Sequence, residues 1–327
     1  MFQSVHASRF QRSWLAAGTL WLQAAVTLHA CAPQSDAKSP TTVSPRAASG
    51  AALAPTPASP NDARGGRLYD NWRNEKKLLS FVADSSKTPE LDGEGGPHSN
   101  GTLSDSEGKP LANTGHDYRL KNFFGWDLRG AEGIYGATFH NKPFAISVNL
   151  LTDTRTEAEL FAWFKGGGSG LPAFGSVLSD ADLKDLVAFV IKTRANALPR
   201  PEQIFRLDAE APKNYALLDG GNAVRGKASY QEACSGCHGA DGRNFPLDET
   251  ESVGSLSRLS GYEVWFKVVN GQPGSRMGRM LPEAHGKLEA QAVLDVLAAL
   301  CDRTAFPALN GTAEVPDGDA RCGSYLK

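Results

Sequence analysis

From Cys31 to Cys234 the sequence contains no cysteine, so no thioether can tie a group to that long stretch. Methionine is scarcer still: the chain has three, Met1, Met277 and Met280, which leaves none between residues 2 and 276. An excess of either charge is also lacking, with 34 Lys and Arg against 36 Asp and Glu for a formal net charge of -2. Nucleic acid is therefore not an expected partner. Strand signals are few, which leaves helix and loop as the expected fabric.

What is present begins with an address. Arg9 and Arg12 form a short positive segment ahead of residues 14–30, which carry no charge, and that pattern marks an export signal and not folded structure. Leu28-His29-Ala30-Cys31 resembles a bacterial lipobox, which implies a lipid on Cys31 and a lipoprotein held on the periplasmic side of a membrane. Plain cleavage at an Ala-x-Ala-like site, which would give a soluble periplasmic protein, and an uncleaved anchor are the alternatives. All three place the chain outside the cytoplasm. Residues 1–31 are thus signal and lipobox, and residues 32–65 a disordered linker. Of the 33 residues from Ala32 to Arg64, 23 are Ala, Pro, Ser or Thr, too little apolar surface to offset the entropy of ordering them.

The 327 residues suit two domains of roughly 130 residues each once the ends are set aside. From Gly66 onward the sequence repeats three landmarks in order. Gly66-Arg67-Leu68-Tyr69 matches Gly226-Lys227-Ala228-Ser229-Tyr230, and Phe124-Gly125-Trp126-Asp127 matches His238-Gly239-Ala240-Asp241. Trp163-Phe164-Lys165 matches Trp265-Phe266-Lys267, each ahead of a glycine-rich run. Both copies close on an amphipathic helix: Ser179 and Asp182 form a capping box before Leu183, Leu186, Val187, Val190 and Ile191, and Leu288, Ala292, Val293, Val296, Leu297 and Leu300 repeat the pattern. Residues 84–117 form an expected surface loop. The expected organisation is a first domain at 66–200, a connector at 201–221, a second domain at 222–308 and a tail at 309–327.

Cys234-Ser235-Gly236-Cys237-His238 carries the strongest chemistry. Two thiols three positions apart can each add to a vinyl group of a haem, and the adjacent histidine then lies beneath the iron. A zinc site would want a second close cysteine pair, which Cys301 and Cys322 are not, and a redox dithiol would want a β-α-β setting, which is lacking.

These residues resemble the c-type cytochromes. Gly226, Tyr230, the CxxCH, His238-Gly239-x-Asp241-Gly242 and Asn270-Gly271-Gln272-Pro273-Gly274-Ser275-Arg276-Met277 fall where that family has its opening helix, haem attachment, following loop and methionine loop. The resemblance covers residues 222–308 closely and 66–196 weakly. It implies a mainly α fold of two tandem cytochrome c-like helical domains, one haem c per chain, and an iron held by His238 and a methionine. Met277 has the family's spacing, Met280 is followed by Leu281-Pro282, and His285 is a third choice. Family members similar to thiosulfate dehydrogenases carry a haem in each domain, but here Leu120, Phe123 and Phe124 stand where the first two cysteines and histidine would be. The first domain is accordingly expected to be folded and haem-free, with His98, His116 and His140 the ligands open to a loosely held haem.

Three functions remain in view: an electron-transfer protein serving redox partner proteins, a haem enzyme related to the two-haem oxidoreductases, and a subunit whose first domain is a docking module. The first and third are compatible, and loss of the first haem argues against the second. With Cys31 assigned to lipid and Cys234 and Cys237 to haem, Cys301 and Cys322 are expected to form a disulfide, two free packed thiols being the alternative.

Overall fold

Polar residues set where the helices begin. Asn61, Thr156, Ser179, Asn222 and Ser252 each accept a backbone N–H from the turn that follows them, satisfying a donor that the helix itself cannot. The computed structural model describes residues 59–77, 119–142, 145–247 and 250–327, with the backbone of 102–104 and 110–112. The signal segment with Cys31, nearly all of the linker, His98 and His116 lie outside the described residues.

The first half contains α1 (Asp62–Glu75), α2 (Leu120–Phe124), α3 (Glu157–Gly166) and α4 (Asp180–Arg194). The second contains α5 (Ala223–Ala233), α6 (Ser235–His238), α7 (Val253–Leu259), α8 (Gly261–Asn270) and α9 (Ala290–Leu300). Strands are short and antiparallel: β1 (Thr102–Ser104) pairs with β2 (Pro110–Ala112), inside the stretch expected to be loop, and β3 (Phe205–Leu207) pairs with β4 (Tyr215–Leu217). The described residues are thus mainly helical.

The repeat is sharper in space than in sequence. Asn61-x-x-Arg64-Gly65-x-x-x-Tyr69 and Asn222-x-x-Arg225-Gly226-x-x-x-Tyr230 open the two halves. In each, the asparagine N–H donates at 2.7 Å to an aspartate of the closing helix, Asp185 on α4 or Asp295 on α9, and the arginine donates to the same carboxylate. The glycine meets that helix's backbone: a Cβ would stand 1.9 Å from the Asp185 carbonyl oxygen at Gly65, and 1.8 Å from that of Asp295 at Gly226. The tyrosine hydroxyl donates to a glycine carbonyl, Tyr69 to Gly125 at 2.5 Å and Tyr230 to Gly239 at 3.0 Å. The matching glycine is therefore Gly65, not Gly66. Helix α1 also begins at Asp62, inside the expected linker, so the folded part starts earlier than residue 66.

The third landmark matches in burial but not in position. Counted from the glycines that end α3 and α8, Gly167 and Gly271, Trp163 falls level with Lys267, although Trp163 and Trp265 are both buried. Most of each closing stripe is buried, Leu183, Leu186, Val187 and Val190 on α4 and Val293, Val296, Leu297 and Leu300 on α9, whereas Ile191 and Ala292 are only half-buried and the buried Leu288 precedes α9. The Ser179 capping box is formed from both sides.

The halves do not have separate cores. A single apolar cluster runs through both, and Phe266 of α8 lies 5.6 Å from Tyr69, 5.3 Å from Trp126 and 5.6 Å from Phe189, ring centre to ring centre. The connector is part of the same body, because the Phe205 ring lies tilted 4.2 Å from that of Tyr262 and the Gly261 N–H donates to the Tyr215 hydroxyl. The tail is held by a disulfide between Cys301 and Cys322, by the Leu217 N–H on the Arg321 carbonyl at 2.9 Å, and by Tyr325, whose hydroxyl accepts the Gly221 N–H at 2.7 Å. No helix among the described residues is long and apolar enough to cross a membrane.

Candidate functional site

Helix α5 ends at Cys234, whose N–H donates to the Tyr230 carbonyl, and α6 adds one turn before Gly239 redirects the chain at φ 84°. Only glycine suits this turn, since its φ is positive and a Cβ would stand 2.6 Å from the Asn244 side-chain oxygen. Asn244 then folds back over the turn, its N–H donating to the His238 carbonyl at 3.0 Å and its amide to the Cys237 carbonyl at 3.3 Å. Gln231 donates to the Ala240 carbonyl at 2.7 Å from the other side. The backbone that presents Cys234, Cys237 and His238 is thus fixed by its neighbours.

Both cysteines are free thiols. Cys234 rests half-buried against the core and Cys237 is exposed. Burial, with the charge of Cys237 adding to it, pushes the Cys234 thiol up to about 11, so it is protonated at neutral pH. A redox dithiol needs the opposite shift. His238 is half-buried, with its ring 5.0 Å from that of the exposed Phe245. Burial lowers its pKa, and its Nδ1 is buried without a hydrogen-bond partner. The neutral imidazole is the form that ligates a metal.

The first half holds the same turn with different side chains. Aligning Gly125 with Gly239 through their tyrosine bonds sets Leu120 at the place of Cys234, Phe123 at that of Cys237 and Phe124 at that of His238. Those three are 0%, 1% and 0% exposed, and Phe124 stacks on Tyr69 and meets Trp163 and Phe164 edge-on. The same backbone therefore buries its three side chains fully in one half and leaves them half-buried or exposed in the other. His140 is not part of this cluster: it stands half-buried beside Tyr135 with Nε2 at 3.1 Å from the Lys213 carbonyl.

Met277 and Met280 lie in the segment between α8 and α9, Met277 half-buried and Met280 52% exposed. The Met277 carbonyl accepts the Gln272 N–H at 2.9 Å and its own N–H donates to the Ser275 hydroxyl at 3.0 Å. Among the described residues no hydrogen bond, ion pair or ring contact joins this segment to Cys234, Cys237 or His238. His285 is exposed in a turn at φ 53°.

The donor set fits a covalently held haem: two thiols on one fixed turn, an imidazole whose pKa burial lowers and whose buried nitrogen is unpartnered, and an exposed apolar side chain, Phe245, beside that ring. It does not fit a bare zinc ion. Cys301 and Cys322 are bonded to each other, and no group of three or more His, Cys, Asp or Glu among the described residues is arranged around a common point. Surface cavities of about 450 and 360 Å³ are lined by Thr250, Glu251 and residues 309–313, and by Asp241, Arg243, Asn244, Leu309 and Asn310. Neither borders Cys237 or His238, so they are not the site.

Set against protein-family models, curated proteins and solved structures, the chain matches none of them. Residues not anticipated from the sequence are Asp185 and Asp295, which tie each closing helix to the opening one. The Asn-x-x-Arg-Gly pattern was their visible signal, but it names only the donors.

Proposed function

We propose that the chain is an exported c-type cytochrome that carries one haem c and passes single electrons between redox partner proteins. The observation that supports this most is the contrast between matching turns: Leu120, Phe123 and Phe124 are sealed in the core, whereas Cys237 is exposed and Cys234 and His238 are half-buried, with the buried Nδ1 of His238 left without a partner. Cys234 and Cys237 would supply the two thioether sulfurs, and His238 the proximal nitrogen. Met277 is the proposed distal ligand, with Met280 the alternative. When bound, the haem supplies a one-electron couple.

The chain's own part is to hold the histidine neutral and the ligands fixed. Burial lowers the pKa of His238 and so favours its neutral ring, and Asn244 fixes the carbonyls of Cys237 and His238. With His238 and a methionine as its ligands, the haem would keep no open site for a substrate, which suits electron transfer and not substrate chemistry. The first half, with no thiol and a filled turn, is proposed to serve structure or docking. Cys31 is proposed to carry a lipid that keeps the protein at the periplasmic face of a membrane.

Carbon monoxide and a redox titration test the reading together. The reduced, haem-loaded protein should keep its spectrum under carbon monoxide and titrate as a single one-electron couple. A carbon monoxide adduct at full occupancy would point to an open iron and to enzyme chemistry. Replacing each methionine by alanine assigns the ligand: the sulfur-to-iron band should disappear with Met277→Ala and survive Met280→Ala.

A further inference from the structure

Helix α1 of the first half is bound along the segment that carries both methionines of the second. At the start of that segment, Gly66 leaves room for Asn270: a Cβ there would stand 2.2 Å from the Asn270 side-chain oxygen. Arg67 Nη1 donates to the Asn270 carbonyl at 3.0 Å, and Arg67 is itself held by Glu75 through bonds of 2.9 and 3.0 Å. In the middle, the Gly274 N–H donates to Glu75 Oε2 at 3.1 Å. A Cβ at Gly274, whose φ is 74°, would stand 2.4 Å from the Asn74 carbonyl oxygen. At the far end, Arg279 Nη2 donates to Asp62 Oδ2 at 2.7 Å and Nε to the Val269 carbonyl at 2.7 Å, with the arginine side chain only 8% exposed.

The shape of α1 serves this arrangement. The helix breaks at Asn71 (φ -152°, ψ 88°), whose side-chain oxygen accepts the Asn74 N–H at 3.1 Å, and the residues beyond the break are those that meet Gly274. Burial would raise the pKa of Asp62, but Lys192 and Arg279 outweigh it and hold the carboxylate ionised. A buried arginine on a buried carboxylate is costly to break from one side, because the remaining charge is left unpaired.

We propose that α1 is a clamp on residues 270–280, through which the haem-less half fixes where Met277 and Met280 stand. Its consequence for a haem ligand rests on the function proposed above, but the clamp itself does not. Asp62, Glu75 and Arg279 are positioning residues, and the two methionines between Gly274 and Leu281 are what they position.

Amide hydrogen exchange on the full chain, read residue by residue, tests the clamp with or without haem. Glu75→Gln and Asp62→Asn should each speed exchange at Gly274 and Met277 by about tenfold or more, the scale of losing a bond to a charged group. The amides from Val293 to Leu300 in α9 should keep their rates, and Asp62→Glu should restore much of the protection. Unchanged rates at Gly274 and Met277 would overturn the proposal, as would an equal rise throughout α9. In the haem-loaded protein the same two variants should lose the sulfur-to-iron band at a lower urea concentration than the parent, with the Soret band retained. Faster exchange without that band in any variant, the parent included, would support the clamp and remove methionine ligation from the proposed function.

Discussion

Asp127 shows how far one side chain can depart from its counterpart. It matches Asp241, which is partly exposed and paired with Arg243 at 2.7 Å, yet Asp127 is 0% exposed, with Oδ2 on the Ile134 N–H at 2.8 Å and Oδ1 buried without a partner. Burial raises its pKa to about 6. The folded state then binds this proton more tightly than the unfolded chain, whose aspartates titrate near ~3.9. The resulting stabilisation is complete below about pH 4 and is lost as pH rises through about 6, an effect of at most ~3 kcal/mol. Urea unfolding of the parent and Asp127→Asn at pH 4, 5, 6 and 7 should show the parent losing stability relative to the variant as pH rises. A constant difference would remove Asp127 as the source. The sequence signals its turn through Gly125-x-Asp127, but not its burial, which depends on side chains brought in from elsewhere.

Among the elements, the legible ones are those whose causes are local. The Ser179 capping box and the α4 stripe need only neighbours along the helix, and both are present as the spacing predicts. The connector, residues 201–221, was less legible because its sequence marks only a link between the two copies. Pro201 instead starts a single turn just before β3, and Pro212 starts another within the loop that joins β3 to β4, places where a missing N–H costs nothing. The tail shows the same limit: its fixation depends on the pairing of Cys301 with Cys322 and on Tyr325 reaching Gly221. Cys322→Ser should lower unfolding stability by about 3 kcal/mol, the chain-entropy value for closing a loop of about 20 residues. Denaturant titration measures it, and a loss under about 1 kcal/mol would mean that the loop is held without the bond.

At the scale of the whole molecule, the repeated sequence suggested two domains, whereas the described residues form one compact unit with a shared core. The reason lies in side chains that cross between halves. Phe266 of α8 enters the aromatic cluster around Tyr69, and Lys267 pairs with Asp70, which is also bound to Lys121 at 2.8 Å. Burial would raise the pKa of Asp70, but the two lysines outweigh it and hold it well below the usual carboxylate range. Removing Phe266 takes a fully buried ring from a core that both halves share. Phe266→Ala should cost about 3–5 kcal/mol while preserving one cooperative transition, with fluorescence and circular dichroism coinciding. Two separated transitions would mean independent domains.

The site was legible as chemistry because Cys234, Cys237 and His238 are neighbours in sequence; its contrast with the first half needed the Tyr69 and Tyr230 bonds to fix the alignment. That contrast leads to one direct measurement: the mass of the intact, denatured chain made in cells that attach haem, followed by mapping of its peptides. The account predicts one haem per chain, retained through denaturation and carried by the peptide containing Cys234, Cys237 and His238. A chain bearing no haem, or a second haem elsewhere, would contradict it.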